Sequence, residues 1–135
     1  MKKLILASAL SLCSFGAVAE VAVIVNPGNA NALDAETIKK IYLGKAKSFD
    51  NGNKVNPATQ NGTAIADEFN SKVVGKSSSQ LNAYWSKLVF TGKGTPPEKF
   101  DSDQAVIDFV AANGDSIGYI DSNKATNKVK VIATF

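Results

Sequence analysis

Apolar positions along this chain fall into two rhythms, and they alternate. Val21 to Val25 is an unbroken apolar, mostly β-branched run, which predicts a strand buried on both faces. Asn26-Pro27-Gly28-Asn29 ends it with turn chemistry. Asp34 then stands as an N-cap before Ile38, Ile41 and Tyr42, a stripe at helical spacing that Gly44 stops. Asp50-Asn51-Gly52-Asn53 reads as a turn, and a short strand is expected near Lys54 to Ala58. Thr63 can cap the next helix, with Ile65, Phe69 and Val73 facing inward and Gly75 closing it.

Ser77 to Ser79 offers another cap, followed by Leu81, Tyr84, Trp85 and Leu88 at helical spacing up to Gly92. Thr95-Pro96-Pro97 predicts a rigid loop. Ser102 caps a helix carrying Val106, Phe109 and Val110 that ends near Gly114. Ile117 to Ile120 and Val129 to Ala133 read as strands. Strands alternating with helices predict a three-layer α/β domain with a largely parallel mixed sheet flanked by helices. The first and last strands are both apolar and are expected to lie near each other.

The first nineteen residues do not fit that rhythm. Lys2 and Lys3, the apolar run from Leu4 to Val18, and Ala17-Val18-Ala19 before Glu20 form an export signal with a cleavage site. The run is shorter than the roughly 20 apolar residues of a membrane span. Residues 20–135 then make one domain, which the signal sends to the periplasm. Its removal takes away the one cysteine, Cys13, and with it thiol and disulfide chemistry.

Charge narrows the partners. Of 15 basic residues, Lys2 and Lys3 fall in the leader, leaving 13 against 12 acidic ones. A net charge near +1 gives no electrostatic case for nucleic acid or a membrane surface. The chain has no His and no Arg. The usual general base and metal ligand are therefore missing, and so is the bidentate fork that grips phosphate. No catalytic constellation, metal cluster or cofactor motif is present, and the chain does not read as an enzyme.

The most informative turn is Gln60-Asn61-Gly62-Thr63. A strand-to-helix turn with glycine lets backbone N–H groups point into a concavity, and a helix start adds partial positive charge. The candidate anion ligands are Asn61, Gly62 and Thr63. Asn61 and Thr63 would donate from their side chains and Gly62 from its backbone. The same residues also read as an ordinary N-cap with a turn glycine. Ser102, opening a later helix beside Asp103, is expected at the same crevice or as a plain cap. Asn26 to Asn31 is expected at that edge too. Tyr84 and Trp85 read as core rather than as a sugar-stacking platform.

Several segments together resemble the second lobe of the phosphate-binding proteins of ABC transporters, a type 2 periplasmic-binding fold. They are Asp34 with Ile38 to Lys45, Gly62-Thr63 with Phe69, Trp85 with Phe90-Thr91-Gly92, and Ser116-Ile117-Gly118-Tyr119. In that family the phosphate turn reads Arg-x-Asp-Gly-Ser-Gly-Thr. Here Gly62 and Thr63 match, while Pro57, Thr59 and Asn61 stand in place of the arginine, aspartate and serine. The resemblance implies binding of inorganic phosphate or another small anion, linked to an ABC permease. The missing arginine and first lobe leave an alternative: a periplasmic interaction module or sensor partner without tight phosphate binding. A homodimer of this chain would rebuild a two-sided cleft.

Overall fold

The computed structural model describes residues 20–31 and 33–135. The expected export signal over residues 1–19 lies outside them. The described elements are β1 (Val21–Val25), α1 (Ala35–Tyr42), β2 (Asn56–Gln60), α2 (Ala64–Phe69), α3 (Ser78–Phe90), β3 (Glu98–Phe100), α4 (Asp103–Ala112), β4 (Ser116–Asp121) and β5 (Lys130–Thr134). Four helices start where a capping side chain was expected. Asp34, Thr63, Ser77 and Ser102 each accept a backbone N–H from three residues ahead. Ser77 and Gln80 complete a reciprocal capping box.

The five strands form one sheet in the order β3-β2-β4-β1-β5. β2 runs parallel to both β3 and β4, whereas β1 is antiparallel to β4 and to β5. Four strands therefore share one direction and β1 alone opposes them. The sheet is mixed and largely co-directional, as the pattern predicts, and the first and last strands are paired.

Helices cover both faces. Val21, Val23, Val25, Ile117 and Tyr119 face α1, α2 and α3, while Ala22, Ile24, Ala58 and Ile120 face α4. Every residue of β1 is buried, which accounts for its lack of polar alternation. Gly118 is required where α4 lies on the sheet: a Cβ there would sit 2.6 Å from Val106 Cγ1.

Local differences from the sequence expectation have local causes. Glu98–Phe100 is a strand, which the Pro96-Pro97 loop concealed; it is three residues long and mostly exposed. In α4 the buried positions are Val106, Ile107 and Val110. Phe109 instead packs at the margin against Phe100, ring centres 5.1 Å apart. The segment from Thr63 to Gly75 is not one regular helix. After Phe69 it widens into a π-turn over Asn70–Val74, closed by Gly75 at φ +80 with its N–H donating to Asn70 O.

Candidate functional site

The parallel register of β2 and β3 sets Gln60 opposite Phe100. The turns that follow those two residues therefore lie side by side, and Asn61 N–H donates to Phe100 O at 2.9 Å. Helices α2 and α4 start from these turns, so Thr63 and Ser102 line one hollow of about 470 Å³. Asn61 and Gly62 line a second, of about 620 Å³, on the other side of the turn. The four sequence candidates share one end of the sheet but divide between two concavities, with Gln60 as a wall of both.

Gly62 adopts φ +72 with open space where a side chain would be. That conformation favours glycine. Among the described residues, neither Gly62 N–H nor Thr63 N–H meets a protein acceptor. The hydroxyl oxygens of Thr63 and Ser102 accept from Ala66 and Ala105, at 3.2 and 3.1 Å, which leaves each hydroxyl proton free to donate elsewhere.

Behind the turn lies a polar network that sequence periodicity does not reveal. Tyr119 Oη accepts from Gln60 N–H at 2.9 Å and is 2.6 Å from Thr59 Oγ1. Gln60 Nε2 donates to Asp103 Oδ1 and to Tyr119 O, at 2.7 and 3.1 Å. Asp103 Oδ1 also accepts from Asp121 N–H. The buried Gln60 thus ties β2 to the start of α4 and to β4; its one visible sign in sequence is a glutamine ending a strand.

Beneath the network the Phe69 and Tyr119 rings stack at 3.9 Å, and Tyr42 meets Phe69 edge-on at 4.7 Å. Tyr42 Oη donates to Ala58 O at 2.7 Å. Burial pushes the Tyr42 phenol well above its ordinary value, with Tyr119 adding to it. Burial likewise raises Tyr119, opposed by its bonds to Gln60 and Thr59.

The electrostatics at this end are mixed. Asp67 and Lys99 line the Asn61 hollow, whereas Asp103, Asp121 and Lys124 line the Thr63 hollow. Asp67 also accepts from Ser78 Oγ at 2.6 Å. Ser78 has one hydroxyl proton, already given to Asp67, and so accepts from Asn70 Nδ2 at 2.9 Å. Pro57, standing where the family resemblance places an arginine, sits at the start of β2 opposite Ile117 and offers no N–H. Thr59, in the aspartate position, is engaged with Tyr119.

Two expectations are corrected or filled in. The Asn26 to Asn31 loop does not reach this edge. β1 runs against its neighbours, so its carboxyl end pairs with Ile117 at the far end of β4, and Asn26 Nδ2 donates to Val110 O and Ala111 O instead. Tyr84 and Trp85 serve the core: Tyr84 Oη donates to Leu43 O and Trp85 Nε1 to Tyr42 O. Among the described residues there is no cluster of three or more acidic, His or Cys side chains placed to hold a metal ion. No described helix is long and apolar enough to cross a membrane.

No protein-family model and no curated protein matches the chain. Solved structures do. An ABC-type phosphate transport receptor from Vibrio cholerae is 18% identical, with TM-score 0.64 over 84% of this chain and 45% of its own. A putative phosphate ABC transporter substrate-binding protein with bound phosphate, from Clostridium perfringens, is also 18% identical, with TM-score 0.66 over 84% and 44%. PstS from Borrelia burgdorferi is 15% identical, with TM-score 0.65 over 85% and 47%. This chain therefore spans a little under half the length of these proteins, and identity at this level shows the fold alone. A single mixed sheet between helices, matched to about half of each of these receptors, gives the chain the fold of one periplasmic-binding-protein lobe.

Proposed function

We propose that this protein is an exported, periplasmic lobe that holds a small oxyanion of the phosphate type at the Asn61-Gly62-Thr63 turn, for an ABC permease or another periplasmic partner. The observation that carries the reading is the pair of uncommitted N–H groups on Gly62 and Thr63, successive residues of one turn, with Thr63 sharing its hollow with the Ser102 hydroxyl. They occur at the carboxyl end of parallel strands, where α/β sheets collect ligands. The fold shared with phosphate receptors supports it. Nothing in the donor set calls for a cofactor, and the groups on offer bind rather than transform.

The donors are neutral. A neutral hydrogen bond contributes about 0.5–1.5 kcal/mol net, against about 1.5–3 for a charged one, so binding without an arginine is weak. The nearby carboxylates of Asp67, Asp103 and Asp121 repel a fully ionised anion but can accept a hydrogen bond from the hydroxyl of a partly protonated one. Phosphate, which keeps a hydroxyl at neutral pH, is thus favoured over sulfate. Calorimetric titration of the purified protein with each anion checks this. Phosphate binding that Asn61→Asp abolishes is the expected result. Equal heats for phosphate and sulfate, or no loss in Asn61→Asp, would remove the turn from the reading.

One observation favours a second reading, an interaction module. Phe90 is 91% exposed and Val89 50% exposed, both on the rim of the Asn61 hollow. An apolar rim of this kind is what a protein partner covers. A protein that stays monomeric, and recovers no crosslinked partner from periplasm, would count against it.

A further inference from the structure

A third hollow lies away from that turn, toward the opposite end of the parallel strands. It encloses about 640 Å³ and is walled by the segment after α1, the start of β2, the loop before β3 and the last turns of α4. A volume of this size suits a small-molecule ligand. Lys47, Lys54 and Lys93 line it against one acid, Glu98. Three lysines, two of them on the bridged arms of one hairpin and the third in the loop before β3, thus line one hollow with an excess of two positive charges.

None of the three is engaged. Among the described residues the ion pair is Lys72 with Glu68, and Lys47, Lys54 and Lys93 have no carboxylate partner. The neighbouring Asp115, outside the lining, accepts from Asn53 Nδ2. By contrast, one lysine and one acid line the Asn61 hollow, and two acids and one lysine line the Thr63 hollow. On charge alone, an anion is drawn more strongly to the lysine groove than to either of them.

The groove also has an apolar body. Trp85, Pro96, Pro97 and Phe109 line it. Glycine keeps the Trp85 ring in place: a Cβ at Gly44, φ +74, would lie 2.7 Å from Trp85 Cη2, and one at Gly94 3.2 Å from Cζ3.

We infer that this groove is a second ligand site, taking a small organic anion with two negative charges on an apolar body, such as an aromatic phosphate or dicarboxylate. The apolar part lies along the proline and aromatic wall, and the charges meet the three lysines. The site is separate from the Gly62-Thr63 turn and does not depend on anion binding there.

Trp85 is the chain's one tryptophan and reports on the groove. The test titrates the purified protein with phenyl phosphate, read by tryptophan fluorescence and by calorimetry, with inorganic phosphate and phenol as comparators. Phenyl phosphate is expected to bind more tightly than either comparator, with affinity falling as salt is raised. Lys54→Ala with Lys93→Ala should raise its Kd by about tenfold for each charged hydrogen bond lost, roughly a hundredfold together. Asn61→Asp should leave it unchanged. Trp85, Pro96 and Pro97 also line the Asn61 hollow, so the variants decide the location. Binding lost in Asn61→Asp but kept in the lysine double variant would overturn the groove and place the ligand at the turn. No heat and no fluorescence change up to about tenfold above millimolar ligand, the weak end of ordinary binding, would overturn it outright.

Discussion

The two ends of the sheet solve opposite problems. At the carboxyl end of β2, β3 and β4 most polar side chains are spent on one another: Gln60 on Asp103, Tyr119 on Thr59 and Gln60, Ser78 on Asp67. What remains for a ligand is backbone N–H, two hydroxyl protons and the Asn61 amide. At the other end Lys47, Lys54 and Lys93 have no carboxylate partner, and the wall is proline, glycine and aromatic. Organisation and charge are therefore separated in this lobe. The turn end, with its uncommitted N–H groups, carries the acids, and the end with the positive charge leaves its lysine side chains without carboxylate partners.

That contrast predicts unequal tolerance to substitution. The largest effect should come from Phe69→Ala, which removes the ring stacked on Tyr119 beneath the turn. A loss of about 3–5 kcal/mol is expected in urea unfolding, the range for a buried phenylalanine. A loss under about 1 kcal/mol, well below that range, would mean the stack does not support this end.

Next comes Tyr119→Phe, which leaves the buried Gln60 N–H without its acceptor and should cost about 1–3 kcal/mol. A linked pH effect sharpens it. Burial keeps Tyr42 and Tyr119 protonated beyond the ordinary value of 10.0. The folded state then binds these protons more tightly than the unfolded chain. Their contribution is whole below about pH 10 and is lost as pH rises through the raised values. Stability measured from about pH 8 to about pH 11 should fall at the alkaline end, and less steeply in Tyr119→Phe.

Thr63→Ala should cost about 1 kcal/mol, as removal of an N-cap does. If the turn holds an anion, phosphate binding should drop by more than this loss explains. A matched loss in folding and binding would leave Thr63 a cap only. Smallest of all, Lys54→Ala with Lys93→Ala should change stability by no more than about 0.5 kcal/mol, because both are exposed and without ion-pair partners. A larger cost would give those lysines a structural role and blur the contrast between the ends.

Much of this architecture is legible along the chain because its causes are short-range. A cap reaches three residues ahead, so Asp34, Thr63, Ser77 and Ser102 announce their helices. Burial on both faces removes polar alternation, so Val21 to Val25 announces a central strand. The short β3 stayed hidden because three mostly exposed residues after two prolines carry no period. The candidate residues at the turn were visible as a motif, but their division between two hollows was not.

The sequence by itself determined the elements other than β3 and the π-turn after Phe69, the helix caps, the three-layer class and the absence of histidine and arginine chemistry. Tertiary structure alone decided the direction of β1, and with it that Asn26 to Asn31 lies at the opposite end from Asn61. It also decided that Gln60 and Tyr119 lock the turn, and that Lys47, Lys54 and Lys93 share one groove. The physical reason is range. Caps and periodicity act within a turn or two of chain, whereas strand direction and the meeting of distant side chains depend on how the whole sheet closes its hydrogen bonds and buries both faces.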